Sequence, residues 1–379
     1  MLINSEKEKY STEFSKTKVK LKGKPIEKKL IIFIIFIGYI LVLVMMRQLN
    51  KILNELKIFK NILLSNIIKY NNIHSKELNN KIFDEKMKNK YIENQIHFCK
   101  SHDLFFDPDV EKKIKKVNAR LNNISFNMFV YKDNDVVSKF IRQSGNWEKH
   151  PTNNIIKCLD YYSKKKQLSK NDITILDIGA NIGWYSFYFA KSGYELISFE
   201  VSHINDYILK KNYCLNREVK MTIINKGIGL EEEQCLLHHP PGNEGNAIIL
   251  CGDNNKISNT KESLYETIEF TKLSYFVPYL SKKNLAFIKI DVEGSEGKVI
   301  NSGIELITKY HIPFLLVEFN NDYLKMQGTD PKVLLEIFIN NGYLISTKDF
   351  WSKSYSSIES ILKIKRCNLY IVFSNFLKQ

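Results

Sequence analysis

Two clusters in this chain combine residue types and spacings suited to chemistry. The first is Asp177-x-Gly179-x-Asn181-x-Gly183, inside the run ITILDIGANIG at 173–183. An apolar strand that enters a glycine-rich turn and then a helix presents backbone N–H groups and a helix N-terminus to a bound nucleoside. Seventeen residues past Gly183 the apolar run ELISFE ends in Glu200. A carboxylate there can accept hydrogen bonds from both hydroxyls of a ribose, so loop and acid together point to an adenosine-containing cofactor. The second cluster closes LAFIKIDVEGSE at 285–296 with Lys289, Asp291, Glu293 and Glu296, and Gly294 allows the turn. Positions 289, 291 and 293 share one side of a strand. Three ionisable groups there are costly to bury without a ligand or partners. They either serve a reaction or form a structural salt bridge of Lys289 with Asp291 or Glu293. His238 and His239, ahead of a polar insert at 240–268, are second candidates for a proton acceptor.

The elements that must position these groups show as alternating patterns. Apolar runs at 174–178, 196–199, 221–224, 286–290 and 314–319 read as strands. Helical patterns fall between and after them at 184–191, 204–215, 275–280, 296–310 and 331–340. Two late strands, 343–346 and 368–373, complete the sheet. Strands alternating with helices imply an α/β fold with a doubly wound parallel sheet. Ligands of such sheets sit at the carboxyl ends of the strands, and both clusters fall there.

The loop discriminates between cofactors. A nicotinamide enzyme would show G-x-G-x-x-G after the first strand, which this chain lacks. The loop is led by Asp177 instead, an acid that would repel the phosphates of a dinucleotide. S-adenosylmethionine carries an ammonium and a sulfonium group that such an acid can face.

DIGANIGWYSFYFA, SFE, INKGIG, FIKIDVEGSEGKVINSG and LLVEFN, in this order and spacing, resemble the FkbM family of S-adenosylmethionine-dependent methyltransferases. VVSKFIRQSGNWE at 136–148 resembles the segment that precedes the fold in eukaryotic members, so the likeness covers about 136–350. The resemblance implies a class I methyltransferase, Rossmann-like fold and O-methylation of a hydroxyl, often on a sugar or polyketide. It assigns Asp177, Gly179, Asn181 and Gly183 to the cofactor loop, Glu200 to the ribose, and Asn225 and Gly227 to the turn near the adenine. Lys289, Asp291 and Glu293 match the lysine–acid strand end. In the expected mechanism Asp291 or Glu293 faces the acceptor and Lys289 orients the acid. Members commonly carry Leu-Asp where this chain has Leu273-Ser274, although serine can still cap a helix. The rival readings are a nicotinamide-type oxidoreductase and a membrane-anchored binding module that keeps the fold without activity.

Charge and hydropathy bound the setting. The formal charge of +15 lies mostly in residues 1–100, which hold 20 Lys and Arg against 9 Asp and Glu. The rest is nearly balanced, which argues against a nucleic-acid enzyme with a basic folded face. None of the six cysteines sits in a C-x-x-C pair, so structural zinc is not expected and no metal is assigned. Their even number permits disulfides in a lumenal compartment.

The run LIIFIIFIGYILVLVMM, Leu30–Met46, carries no charge and is long enough to span a membrane. Nine lysines precede it, which favours a cytosolic N-terminus and a lumenal (endoplasmic reticulum or Golgi) or external C-terminal domain. Asn123-Ile124-Ser125 is the single glycosylation sequon, fewer than chance gives for so Asn-rich a chain, which weakens that topology. Leu49, Leu53, Leu56, Leu63, Ile67 and Tyr70 recur at helical spacing, so a stalk pairing with a second copy and a solvated lone helix are equal readings. The expected organisation is a basic tail at 1–29, a membrane helix at 30–46, a helical stalk at 47–100 and a methyltransferase domain at 101–379. The expected partners are S-adenosyl-L-methionine, the membrane and a hydroxyl-bearing acceptor, glycan or lipid rather than protein.

Overall fold

The computed structural model describes residues 33–57, 59–60, 63, 88–101, 106–133, 135–238, 248–251, 265–352 and 355–378. The chain divides into two units, 1–78 and 79–379. In the first, a single helix runs over Phe33–Lys57 with a mean hydropathy of 1.9 in its most apolar window. None of that window is buried, so the helix is long and apolar enough to cross a membrane. It continues through Arg47 into the expected stalk, where Leu49, Leu53 and Leu56 are exposed. The basic tail, residues 30–32 of the apolar run, Ile67 and Tyr70 lie outside the described residues.

The second unit contains thirteen strands among its described residues. They are β1 Ile114–Leu121, β2 Ile124–Tyr131, β3 Ile173–Ile178, β4 Glu195–Phe199, β5 Met221–Ile224, β6 Gly227–Ile228 and β7 Gln234–His238. There follow β8 Ile248–Leu250, β9 Tyr265–Thr271, β10 Asn284–Ile290, β11 Phe314–Asn320, β12 Tyr343–Ser346 and β13 Arg366–Phe373. Seven of them form the main sheet in the order β12-β13-β11-β10-β3-β4-β5. Every residue of β3, β4 and β11 is buried, as expected of strands covered by helices on both faces. The sheet is not wholly parallel as expected: β13 inserts antiparallel between β11 and β12. An apolar run carries no mark of its direction, so the pattern alone could not show this.

Two further expectations need correcting. The helix expected at 296–310 is two, Glu296–Ser302 and Ile304–Thr308, broken at Gly303. A Cβ at Gly303 would lie 2.4 Å from Cδ2 of Leu273, so the break lets another segment pack closely. The stalk also ends earlier than residue 100. The segment from a π-helical turn at Lys88–Glu93 through the helix Asn94–Lys100 belongs to the second unit. Gln95 is buried; its Nε2 donates to the carbonyl of Met221 at 3.2 Å, and its Oε1 accepts from the N–H of Ile223 at 3.0 Å. A side-chain amide thus satisfies the open edge of β5, which would otherwise expose unpaired backbone groups. A Cys99–Cys214 disulfide pins the same helix.

A hairpin of β1 and β2, which the sequence reading missed, covers the helix Trp184–Lys191 that follows the cofactor loop. Phe126 packs on Trp184 and Phe187 with ring centroids 6.0 and 6.3 Å apart. Buried Asn212 joins hairpin to loop, donating to the carbonyls of Phe129 and Ile182. A small sheet, β6-β9-β7-β8, carries the polar insert and is tied by a Cys235–Cys251 disulfide. Most of that insert and His239 lie outside the described residues, as does the side chain of His238.

Candidate functional site

One cavity of about 540 Å³ opens where β3, β4, β10 and β11 end. One part of its wall is built by the loop after β3. Gly179 has φ +81°, and a Cβ there would lie 1.8 Å from the carbonyl oxygen of Asp291. Only glycine lets the loop pass so close to the neighbouring strand end. Gly183 (φ +96°) starts the helix Trp184–Lys191, with Leu209 where its Cβ would be. Between them Asn181 takes φ 53°, and its side chain accepts from the N–H of Ile182 at 2.7 Å. That left-handed conformation is one asparagine tolerates well. The backbone N–H of Asn181 donates to Oε2 of Glu200 at 2.7 Å, and that of Ser202 donates to Oε1 at 3.0 Å. Burial pushes the Glu200 carboxyl up to about 7, against the pull of these two N–H groups.

A second part of the cavity wall is acidic. Lys289 sits at its floor, 3.3 Å from Oδ2 of Asp291 and 3.7 Å from Oδ1 of Asp177, and it donates to the carbonyl of Gly179 at 3.1 Å. Burial works against its charge, but Asp291, Asp177 and Glu148 hold its pKa above the ordinary lysine value. Glu293 (φ 49°) and Glu318, from the end of β11, complete the acidic wall. Burial first and the charge of Asp291 second push Glu293 up to about 7. The same causes, with Glu293 added, push Glu318 up to about 9. Arg366 of β13 holds Oε1 of Glu318 through Nε at 2.7 Å. Glu148 (φ 43°) accepts from the hydroxyl of Tyr185 at 2.6 Å and from Nδ2 of Asn368 at 3.1 Å. Three of the six non-glycine residues with positive φ among the described residues, Glu148, Asn181 and Glu293, line this one cavity. Such concentration of backbone strain is a mark of functional sites.

Of the expected residues, the cavity wall contains Gly179, Asn181, Glu200, Gly227, Lys289, Asp291 and Glu293. Asp177, Gly183 and Asn225 stand behind it. Asp177 is buried: the parallel register of β3 on β10 pairs it with Lys289, and the hydroxyl of Ser186 donates to it at 2.6 Å. Its charge therefore holds Lys289 in place. Asn225 donates from Nδ2 to the carbonyl of Glu200 at 2.8 Å and meets Nδ1 of His203 through Oδ1, so it braces the turn. Both alternatives read for Lys289 hold together, since its salt bridge with Asp291 is itself part of the wall. Glu318, Arg366 and Glu148 were missed. Glu318 had a signal, an acid inside the apolar run LLVEFN, where burial demands a partner.

Residues 177–345 match the family model of the methyltransferase FkbM domain. No curated protein is similar enough to match. Among solved structures, the chain is similar to the bifunctional kinase–methyltransferase WbdD at 10% identity and a TM-score of 0.37. That similarity covers 64% of this chain and 44% of WbdD, so the chain spans less than half of that relative's length. It is similar to magnesium protoporphyrin IX methyltransferase (ChlM) from Synechocystis PCC 6803 with bound SAM at 11% identity, over 63% of this chain and 84% of that one, with a TM-score of 0.30. A third similarity is to the T. Thermophilus 16S rRNA N2 G1207 methyltransferase (RsmC) in complex with AdoMet and guanosine, at 11% identity over 68% and 50% of the chains, with a TM-score of 0.30.

Proposed function

We propose that this chain, whose residues 177–345 match the methyltransferase FkbM domain model, moves the methyl group of S-adenosylmethionine onto a hydroxyl oxygen of a glycan or lipid at a membrane. The observation that carries this reading is a single cavity lined by a ribose-type acid, Glu200, and by the carboxylates Asp291, Glu293 and Glu318. The loop Gly179–Asn181 and Glu200 hold the nucleoside, and Gly227 and Phe270 flank it. The acceptor oxygen attacks the sulfonium methyl in line; the C–O bond forms as the C–S bond breaks, leaving S-adenosylhomocysteine. Holding the two reactants in one cavity makes the step effectively unimolecular. The acceptor's proton passes to Glu293, whose pKa near 7 suits a base at neutral pH. Lys289 positions Asp291 beside it.

Two disulfides, Cys99–Cys214 and Cys235–Cys251, together with the exposed Asn123 of the sequon, support a lumenal or external catalytic domain. In that compartment glycans and lipids supply the hydroxyls. The test incubates the full-length protein, in membranes, with methyl-labelled S-adenosylmethionine and fractionates the products. Label in carbohydrate or lipid, lost in Glu293→Gln, is the expected result. Label in protein alone, or transfer unchanged in the variant, overturns it.

A further inference from the structure

The acidic end of the cavity is out of electrostatic balance. Asp177, Asp291, Glu293, Glu318 and Glu148 share two cations, Lys289 and Arg366. Lys289 holds Oδ2 of Asp291, and Arg366 holds Oε1 of Glu318. Glu293 has no ion-pair partner among the described residues. Oε2 of Glu318 and Oε2 of Glu293 are buried without a hydrogen-bond partner there, although Glu318 is only 8% exposed. Buried carboxylate oxygens left in this way are costly unless something charged meets them. One carboxylate oxygen from each of Asp291, Glu293 and Glu318 lies within 4.8 Å of the other two.

We propose that Asp291, Glu293 and Glu318 hold one divalent, oxygen-preferring cation at the acceptor end of the cavity. Three carboxylates with no nitrogen or sulfur ligand suit Mg²⁺, Mn²⁺ or Ca²⁺ and not a softer metal. Oxygens around such an ion stand about 2.0–2.6 Å from it, which small rotations of these carboxyl groups allow. A double positive charge offsets most of the excess of carboxylates over Lys289 and Arg366. The sulfonium of the cofactor adds one positive charge and offsets less of it. The ion's duty rests on the methyl-transfer reading: it would sit where the acceptor oxygen arrives and favour loss of its proton. Each carboxylate has a second oxygen. Lys289 and Arg366 each hold one oxygen of Asp291 and Glu318, and neither oxygen of Glu293 is held by a cation among the described residues.

The test strips the full-length protein with EDTA in detergent and titrates Mn²⁺, following the free ion by electron paramagnetic resonance. S-adenosylhomocysteine affinity is measured in the same samples. One saturable site is expected, weakened at least tenfold in Glu318→Gln and in Glu293→Gln. Glu305→Gln, an exposed acid paired with Lys309, is expected to leave it unchanged. S-adenosylhomocysteine binding retained in the variants shows that they are folded; if Glu318→Gln fails that check, Glu293→Gln decides. Absence of saturable Mn²⁺ binding at millimolar ion, or equal binding in wild type and both cavity variants, overturns the proposal. Failure of wild-type protein to bind S-adenosylhomocysteine would instead strike the methyl-transfer reading.

Discussion

The two ends of the cavity are built on opposite principles. At the end formed by the loop after β3, Glu200 is buried, yet both its oxygens accept from backbone N–H groups. At the acidic part of the wall Glu293 and Glu318 each keep a buried oxygen with no partner among the described residues. The first end is a cradle that is complete before any ligand arrives, which lowers the ordering cost of binding. The second keeps buried carboxyl oxygens unpaired, and burial with mutual repulsion raises the pKa values of Glu293 and Glu318. The cofactor end comes from one continuous segment plus a single acid. The acceptor end draws on β10, β11, β13 and the turn at Glu148, which lie far apart in the chain.

Breaking the cradle should cause the largest effect. In Gly179→Ala the new Cβ meets the Asp291 carbonyl at 1.8 Å and φ is +81°. A loss of roughly 3 kcal/mol or more is expected, read as a fall in melting temperature with loss of S-adenosylhomocysteine binding. Next, Glu293→Gln should lower kcat by about 10²-fold or more while cofactor affinity stays within a factor of about three. Equal losses in kcat and affinity would erase the separation of the two ends. Glu200→Ala should do the reverse, weakening cofactor binding by about tenfold in calorimetry, since it removes an acceptor of ribose hydroxyls.

Smaller effects sharpen the contrast. The Glu200 pKa near 7 lies above that of an exposed carboxyl, so its protonated form prevails in the folded protein below that pH. The neutral acid is a weaker acceptor, so cofactor affinity should rise several-fold from pH 6 to 8, and this rise should be absent in Glu200→Gln. The raised value also means that this group's contribution to stability is present below about pH 4.5 and lost as pH climbs through 7. Melting temperature of the ligand-free protein should therefore fall over that range. Asn225→Ala should matter least: about 1 kcal/mol of stability, with cofactor affinity unchanged within a factor of about three.

How much of this was legible depended on how local each feature is. The loop at 177–183 and Glu200 were readable because a strand, a turn and a helix follow one another in the chain. Lys289, Asp291 and Glu293 were readable as an anomaly, three ionisable groups at a strand's end. The inward role of Asp177 was not, because it depends on the register of β3 on β10. Gln95 carried no local sign that it caps the edge of β5, 126 residues away. The direction of β13 was equally hidden, and with it the arrival of Arg366 beside Glu318.

By itself the sequence determined the alternation of strands and helices, the glycine positions, the apolar helix and the types of acid at each strand end. Those follow from periodicity, backbone sterics and the cost of burying charge, all of which act within a few residues. Only the tertiary structure decided which charges meet. Coulombic and hydrogen-bonding partners are set by strand order and register, so the pairing of Asp177 with Lys289, and the convergence of Asp291, Glu293 and Glu318, exist only once β3, β10 and β11 stand side by side.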